Sequence, residues 1–514
     1  MASIPLQQAD IREVAVVGLG TMGSGIAEIL ARSGRSVVVT EVNHDALARG
    51  LATLHASLDK AVARGRLTAA DKAKVVARIR AADNLAAGAA AADLVIEAVP
   101  ERMELKRAVF GELDLACRPD TILATNTSSL SVTALAASTR HPNRVAGLHF
   151  FNPAPVMKLV EVVSTVLTAP GTSEALAGLV RALGKTPVQV SDRAGFVVNP
   201  LLLAYLNHAV CLLEAGHATS EDIDKAATSG VGLPMGPLAL LDLIGLDTSL
   251  STLEALQAEF GGSRFTPAPL LRRLAEAGLT GRKAGRGFYE YQHQSVHAAR
   301  ADDPIHHAAS QPPARVLLIE NGAATPAADL TSAITAAGIE VVRPPAGGAD
   351  LVLVAASPAR RVLDAALASG RPADAVGIHL VGPHAAGPAL AELIVTHLTK
   401  ASVTAAAAAL AAKLGLDPVT ARDRPGFLTA ALTYPHLNDA ATMVQDGYAT
   451  AADIDTAMML GCGYPRGPLE MLDDISPAVV LRVLTAMHAS SGDPAFAPAP
   501  LLAEHAAAGT RFRG

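Results

Sequence analysis

At 514 residues the chain is too long for one hydrophobic core, which implies about three or four domains. Half of it is apolar, tryptophan is absent, and a formal charge of −6 gives no reason to expect nucleic acid. Three scattered cysteines, Cys117, Cys211 and Cys462, argue against a disulfide framework and a metal cluster.

No apolar run reaches the roughly 20 residues of a membrane span. The first stretch, MASIPLQQADIREVAVVG, lacks the basic segment and apolar run of a signal peptide. The expectation is a soluble, cytoplasmic protein with no membrane partner.

Up to about residue 191, short apolar strands alternate with amphipathic helices. The expected strands are Val14–Gly18, Val37–Glu41, Leu94–Val99, Thr121–Thr125, Arg144–His149, Leu159–Val163 and Val188–Ser191. Such alternation builds a doubly wound α/β sheet. Two helices between Asp45 and Arg80, joined at Gly65, interrupt it. Residues 192–291 change to a helical pattern, punctuated by Asn199-Pro200 and Pro234–Pro237. A His- and Ala-rich stretch, 292–313, reads as a linker. A second, shorter α/β unit follows over 314–422, with strands expected at Arg315–Glu320, Glu340–Arg343, Leu351–Ala355 and Val376–Val381.

The last segment, 423–514, repeats the helical one. RAGFVVN at 193 matches RPGFLTA at 424, and EDIDKA at 221 matches ADIDTA at 452. LPMGPLALLD at 233 matches YPRGPLEMLD at 464, and FTPAPLL at 265 matches FAPAPLL at 496. Each pair is separated by 231 residues, so the second helical domain is a gapless duplicate.

Gly18-Leu-Gly20-Thr-Met22-Gly23 follows a buried strand and opens the helix Ser24–Arg32. In a Rossmann unit the first glycine makes the turn and the second admits a pyrophosphate to the backbone. The third packs helix on strand, and the helix N-terminus faces the phosphates. The next strand ends in Glu41, 21 residues after Gly20, where a carboxylate accepts from ribose hydroxyls and repels a 2′-phosphate. NAD is the expected cofactor.

The strings GLGTMGSGIA, EAVPE, NTSSL, GLHFFNP, KLVEV, GFVVN and EDIDKA stand in one order. In that order and spacing the chain resembles the L-3-hydroxyacyl-CoA dehydrogenases, from about Arg12 to Tyr291 and again through the C-terminal repeat. The resemblance implies oxidation of a 3-hydroxyacyl-CoA to the 3-oxo thioester with NAD. It implies a Rossmann domain followed by an all-α domain like that of 6-phosphogluconate dehydrogenase, then a reduced Rossmann-like unit and a duplicated helical domain. The family's base matches His149 and its orienting carboxylate Glu161, while its substrate-contacting hydroxyl and amide match Ser128 and Asn199. Glu101, Lys106 and Asn126, with Asn152 of the FFNP turn, match positions around the nicotinamide half, beside Gly18, Gly20, Met22, Gly23 and Glu41. The family's helical hairpin contacts CoA, and here it supplies Ser57, Lys60 and Arg64.

The chemistry of these side chains agrees with those roles. Oxidising a secondary alcohol needs a base for the hydroxyl proton, and imidazole, with an ordinary pKa of about 6.5, suits neutral pH. A carboxylate on its other nitrogen fixes the tautomer. In reverse, the imidazolium and the Ser128 hydroxyl polarise the ketone. His149 ends one expected strand and Glu161 lies in the next, so the two are expected to face each other at the sheet's edge. Asn199 opens the next domain's first long helix, which implies a cleft between domains. Each residue also has an ordinary structural role open to it: Ser128, for one, suits the cap of a helix starting near Leu130.

The second half has lost most of this. Asn199 corresponds to Ala430, NGAATPA stands where the glycine triplet would be, and Gly382 replaces Asn152. GIHLVGPHAAGPALAELIV still echoes GLHFFNPAPVMKLVEVV, with His379 and Glu392 one residue further apart. One active centre per chain is expected. Single-domain family members pair through the helical domain, so the duplicate implies an internal pseudo-dimer, alone or within a homo-oligomer. The layout resembles bacterial 3-hydroxybutyryl-CoA and 3-hydroxyadipyl-CoA dehydrogenases, the latter of phenylacetate degradation. Two other readings stand beside this one. GLGTMGSGIA also resembles 3-hydroxyisobutyrate dehydrogenases, but those use a helix lysine that RAGFVVNPLLLAYLNHAV lacks. A non-catalytic CoA- or NAD-binding relic is the other.

Overall fold

The structure is a computed structural model that describes residues 11–292, 295–298, 311–322, 327–344, 348–382 and 390–514. Most of the expected linker and of the NGAATPA and GPHAAGPA stretches lies outside the described residues. The chain forms two compact units, Met1–Pro200 with Asp446–Cys462, and Leu201–Gln445 with Gly463–Gly514.

The first unit holds an eight-stranded sheet of β1 (Glu13–Val17), β2 (Ser36–Thr40), β3 (Ile79–Ala81), β4 (Leu94–Glu97), β5 (Ile122–Thr125), β6 (Val145–Phe150), β7 (Leu159–Ser164) and β8 (Thr186–Ser191). Its order, β3-β2-β1-β4-β5-β6-β7-β8, begins with the 3-2-1-4-5-6 arrangement of a doubly wound dinucleotide-binding fold. Strands β1, β4 and β5 are mostly apolar and buried along nearly their whole length because helices cover both faces. One of those helices, Thr21–Arg32, buries Ile26, Leu30 and Ala31 with Val14, Val16 and Leu176. All strand pairs are parallel except β6 with β7, whose connection is too short for a crossover.

The sequence reading missed β3, a three-residue strand without an apolar run. It also placed Glu161 at the sheet's edge. Strand β8 lies outside β7, so the Glu161 strand is interior. The edge belongs to β8, which tolerates Pro187 for that reason.

The second unit holds a six-stranded sheet, β12-β11-β13-β14-β15-β16. Its strands are β11 (Arg315–Asn321), β12 (Glu340–Val342), β13 (Leu351–Ala356), β14 (Ala375–Val381), β15 (Leu390–Val395) and β16 (Asp417–Arg422). Strands β15 and β16 add to the four expected. Part of the expected linker is also ordered: β9 (Tyr289–Gln292) pairs antiparallel with β10 (Ser295–Ala298).

Both sequence copies contribute helices to this unit. Helices start with proline at 237 and 269 in the first copy and at 468 and 500 in the second. Asn207 Oδ1 accepts from Ala268 N and Asn438 Oδ1 from Ala499 N, each at 2.8 Å. The copies touch one another here. Tyr205 and His436 stack at 5.2 Å, Arg264 pairs with Asp439, Ser263 donates to Asp493, and His217 Nε2 meets the carbonyl of Phe427. No helix of the described residues is long and apolar enough to cross a membrane. No cluster of potential metal ligands occurs among them.

Candidate active site

The glycine turn lies between β1 and the helix Thr21–Arg32. Gly18 has φ +88°, and a Cβ there would sit 2.7 Å from the Ala98 carbonyl oxygen. A Cβ on Gly23 would lie 1.8 Å from the carbonyl oxygen of Gly18, so helix and turn meet at backbone distance. Around Gly20 nothing lies within 4 Å of the same position. That open cradle, at a helix N-terminus with no acidic residue in its first turn, fits a pyrophosphate. Met22 packs its side chain against the sheet core. Glu41 follows β2 directly, and its two oxygens accept from Leu19 N at 2.6 Å and Val42 N at 2.9 Å. The Glu41 carboxylate is thereby fixed to the turn itself, and its remaining lone pairs stay available.

His149 and Glu161 are direct register partners in the antiparallel β6–β7 pair. Residues opposite each other in such a pair share a face, with Cβ atoms about 5 Å apart. The side chains meet at 2.7 Å, His149 Nδ1 to Glu161 Oε2. Glu161 is wholly buried, and its Oε1 accepts from Val197 N at 3.2 Å and Val198 N at 3.3 Å. One carboxylate therefore orients the imidazole and anchors the start of the helix Val198–Glu214, on which Asn199 is the second residue. Phe151 and Phe196 flank the imidazole at 4.6 Å and 5.6 Å. Phe196 has φ +56°, a conformation that costs a non-glycine residue about 1–3 kcal/mol and recurs at functional sites.

The loop carrying Ser128 is organised by Glu101. Its Oε1 accepts from Thr127 Oγ1 at 2.5 Å, from Ser128 N and Ser129 N at 3.1 Å, and from Ser129 Oγ at 3.0 Å. Burial opposes the charge on Glu101, but the Thr127 hydroxyl, the Lys106 ammonium and the serine donors outweigh it and hold the pKa below the ordinary glutamate value. Lys106 is buried and sits 2.7 Å from Glu97 and 3.3 Å from Glu101. Asn126 Oδ1 accepts from Phe150 N at 2.9 Å, which ties the serine loop to β6 one residue beyond His149. Ser131, not Ser128, caps the following helix, Val132–Ala136, through Ala134 N. Among the described residues, the Ser128 hydroxyl, His149 Nε2 and the Asn199 amide have no hydrogen-bond partner.

Asn152 is exposed in the turn after β6. Ser57, Lys60 and Arg64 lie on and just past the helix His44–Ala63, at spacings that share one face, with both charged residues exposed. The sequence reading missed Glu97, Thr127 and Ser129, which hold the loop, and Phe196, which flanks the His149 imidazole. Glu97 opens the EAVPE string, and it is a carboxylate at the end of an apolar strand, where an unpaired charge is too costly to bury.

The second unit keeps a version of the same pair. His379 and Glu392 are register partners in β14–β15, with Nδ1 and Oε2 2.7 Å apart. Glu392 Oε1 accepts from Thr429 N at 2.5 Å, and Phe427, at φ +49°, stacks 5.7 Å from His379. The extra residue between His379 and Glu392 leaves this register intact. Ala430 stands where the first half has Asn199, so the dyad survives without its amide.

The family model of the 3-hydroxyacyl-CoA dehydrogenase NAD-binding domain matches residues 13–193. The model of that family's C-terminal domain matches 195–291 and, a second time, 426–513. The 3-hydroxyadipyl-CoA dehydrogenase of Escherichia coli (strain K12) is 36% identical, over 97% of this chain and 98% of that one. The probable 3-hydroxybutyryl-CoA dehydrogenase of Bacillus subtilis is 44% identical, over 56% of this chain and 99% of its own length. The crystal structure of 3-hydroxybutyryl-CoA dehydrogenase from Escherichia coli K12 is similar at a TM-score of 0.82 and 33% identity, over 97% of this chain and 98% of that one.

Proposed function

The chain belongs to the 3-hydroxyacyl-CoA dehydrogenase family, an NAD-dependent oxidoreductase family, and from that premise we propose how its own residues carry the reaction. The substrate is an (S)-3-hydroxyacyl-CoA, oxidised reversibly to the 3-oxoacyl-CoA. His149 Nε2 takes the hydroxyl proton while Glu161 holds Nδ1 protonated and stabilises the imidazolium. Ser128 and Asn199 hydrogen-bond the substrate oxygens. A bound nicotinamide would supply the hydride acceptor for the same carbon. The glycine turn and Glu41 would hold the pyrophosphate and adenine ribose. Glu101 and Asn126, with Asn152, shape the nicotinamide side, and Lys106 acts there through Glu101. Ser57, Lys60 and Arg64 contact CoA.

The single observation that carries this reading is the buried His149–Glu161 pair at 2.7 Å, in the half that keeps the open glycine cradle. His149→Gln is expected to lower turnover of acetoacetyl-CoA with NADH by about 10²–10⁴-fold while leaving NADH affinity unchanged. Near wild-type turnover would remove His149 as the base.

For the acyl chain we propose 3-hydroxybutyryl-CoA or 3-hydroxyadipyl-CoA, with the second placing the enzyme in phenylacetate degradation. An end-to-end relative named for the adipyl substrate supports the longer chain, while half-length relatives and an end-to-end solved structure named for the butyryl substrate support the shorter. The ratio of kcat/KM on 3-oxoadipyl-CoA and acetoacetyl-CoA decides between them. A cytoplasmic location is part of the same proposal.

We further propose that the two helical copies form an internal pseudo-dimer and that the second sheet is a reduced Rossmann-like unit. The matched offset of 231 residues and the Arg264–Asp439, Ser263–Asp493 and Tyr205–His436 contacts support this. Cysteines introduced at Ser263 and Asp493 are expected to crosslink within one chain. Crosslinks found only between chains would remove the internal pairing.

A further inference from the structure

The first compact unit contains a segment from the far end of the sequence. Residues Asp446–Cys462, which belong to the C-terminal copy, group with Met1–Pro200. Ser191 N, at the end of β8, donates to Tyr448 O at 3.0 Å, and Ser191 Oγ donates to Gly447 O at 3.3 Å. The Arg193 guanidinium lies 4.4 Å from the centre of the Tyr448 ring. From there the helix Ala451–Cys462 runs against β7 and β8.

The end of this helix reaches the catalytic pair. A Cβ on Gly461 would lie 3.0 Å from Leu159 Cδ2 and 3.2 Å from Val198 Cγ2, so even a methyl group there would press on both side chains. Leu159 is two residues from Glu161 on β7. Val198 is the residue whose N–H bonds Glu161 Oε1, and Asn199 follows it. Burial, and beyond it the charge of Glu161, push the Cys462 thiol up to about 12.

The second unit shows the reciprocal arrangement, each contact displaced by 231 residues. Arg422 N donates to His217 O at 3.0 Å and Arg422 Nε to Gly216 O at 2.7 Å. A Cβ on Gly230 would lie 3.2 Å from Leu390 Cδ2 and 3.3 Å from Thr429 Oγ1. Each copy of the helical segment therefore docks on the strands of the other half. In each half a helix end abuts the strand and helix start that hold the buried glutamate.

We propose that the C-terminal copy completes the N-terminal catalytic centre, with Gly461 and Cys462 as positioning residues that wall in Glu161 and fix the helix start bearing Asn199. The proposal rests on the reading of His149 and Glu161 as the catalytic pair. It gives the second half a task that needs neither a glycine cradle nor an asparagine of its own. Glu161 works through a bond whose strength depends on exclusion of water, and this helix supplies part of that exclusion. Any side chain at 461 would push on Leu159 and Val198, and so on both bonds of Glu161.

Cys462→Asp and Cys462→Asn test the placement, being equal in size and different in charge. An ionised carboxylate at this helix end, near Glu161, favours the imidazolium, which cannot act as a base. The pH at which 3-hydroxybutyryl-CoA oxidation switches on is therefore expected to rise by about half a unit or more in the aspartate variant relative to the asparagine variant. A helix that served only general packing would move both profiles alike, and superimposed profiles would overturn the proposal. Gly461→Val is expected to lower kcat by about tenfold or more with NADH affinity unchanged, because small misplacements of reacting groups are costly. Gly230→Val, the equivalent change against the second dyad, is expected to leave kcat unchanged. Equal losses in the two variants would also overturn the proposal. Wild-type turnover in His149→Gln would instead remove the catalytic pair itself, an outcome distinct from silence at Cys462 beside an inactive His149→Gln.

Discussion

Glu161 divides its two oxygens between His149 and the backbone of residues 197 and 198, and that division makes a sharp prediction. In Glu161→Gln the side-chain carbonyl can keep the backbone donors, but the amide then faces Nδ1 and forces the imidazole proton onto Nε2. The base is lost while the strut remains. Turnover is expected to fall on the order of a thousandfold with a melting temperature close to wild type. A rate within tenfold of wild type would show that tautomer control is not what this carboxylate does. Glu41 makes a second prediction at the same scale. Its oxygens are fixed by Leu19 N and Val42 N, so the charge that repels a 2′-phosphate is held in place. Glu41→Ser should raise the NADPH-to-NADH ratio of kcat/KM by about tenfold or more, and an unchanged ratio would place the ribose elsewhere. Both residues were legible in the sequence because each stands at a fixed spacing from a motif. Glu101 was expected from the sequence near the nicotinamide, but its bonds to the serine loop were not. Its partners Thr127 and Ser129 are ordinary residues whose role appears only when the loop closes on the carboxylate.

At the scale of elements, the antiparallel β6–β7 pair is the piece on which the site depends. Its short connection forces the reversal, and the reversal puts position 149 opposite 161 on one face. Alternation of apolar runs was enough to place these strands, but not β3, β15 or β16. Strand β16 begins Asp-Pro, which reads as a turn until its place at the edge of the sheet is known. The helices of the second unit carry a different consequence. Burial, followed by the nearby Arg264 charge, holds the His436 pKa down to about 3. Burial also lowers that of His217, partly offset by its bond to Phe427 O. Burial disfavours the charged form of both rings in the fold, so they take up protons more readily on unfolding. Their contribution to stability is therefore complete above about pH 6.5 and is lost as pH falls towards the folded-state values. Urea midpoints at pH 7.5 and pH 5 should differ, the lower pH being less stable, and His436→Phe should narrow the gap. Equal midpoints at the two pH values would contradict the neutral burial of these rings.

For the molecule as a whole, the two dyads set the expectation. The second has the same 2.7 Å contact and the same strained phenylalanine as the first, but Ala430 in place of the asparagine. One NADH is expected to bind per chain in calorimetry, and His379→Gln is expected to leave turnover within about twofold of wild type, as for changes outside a reaction centre. A stoichiometry of two, or a large loss in His379→Gln, would make the second half a working site.

The sequence by itself determined the class of chemistry, the cofactor and the duplication, because each is written in residues a few positions apart or at one constant offset. What only the tertiary structure decided is how the two halves of the sequence are shared out. The segment 446–462 groups with the first sheet, and the His379–Glu392 register survives its extra residue. Both are matters of long-range packing. A helix carries no mark of which strand it will bury its face against, and a loop can absorb an added residue where a paired strand cannot.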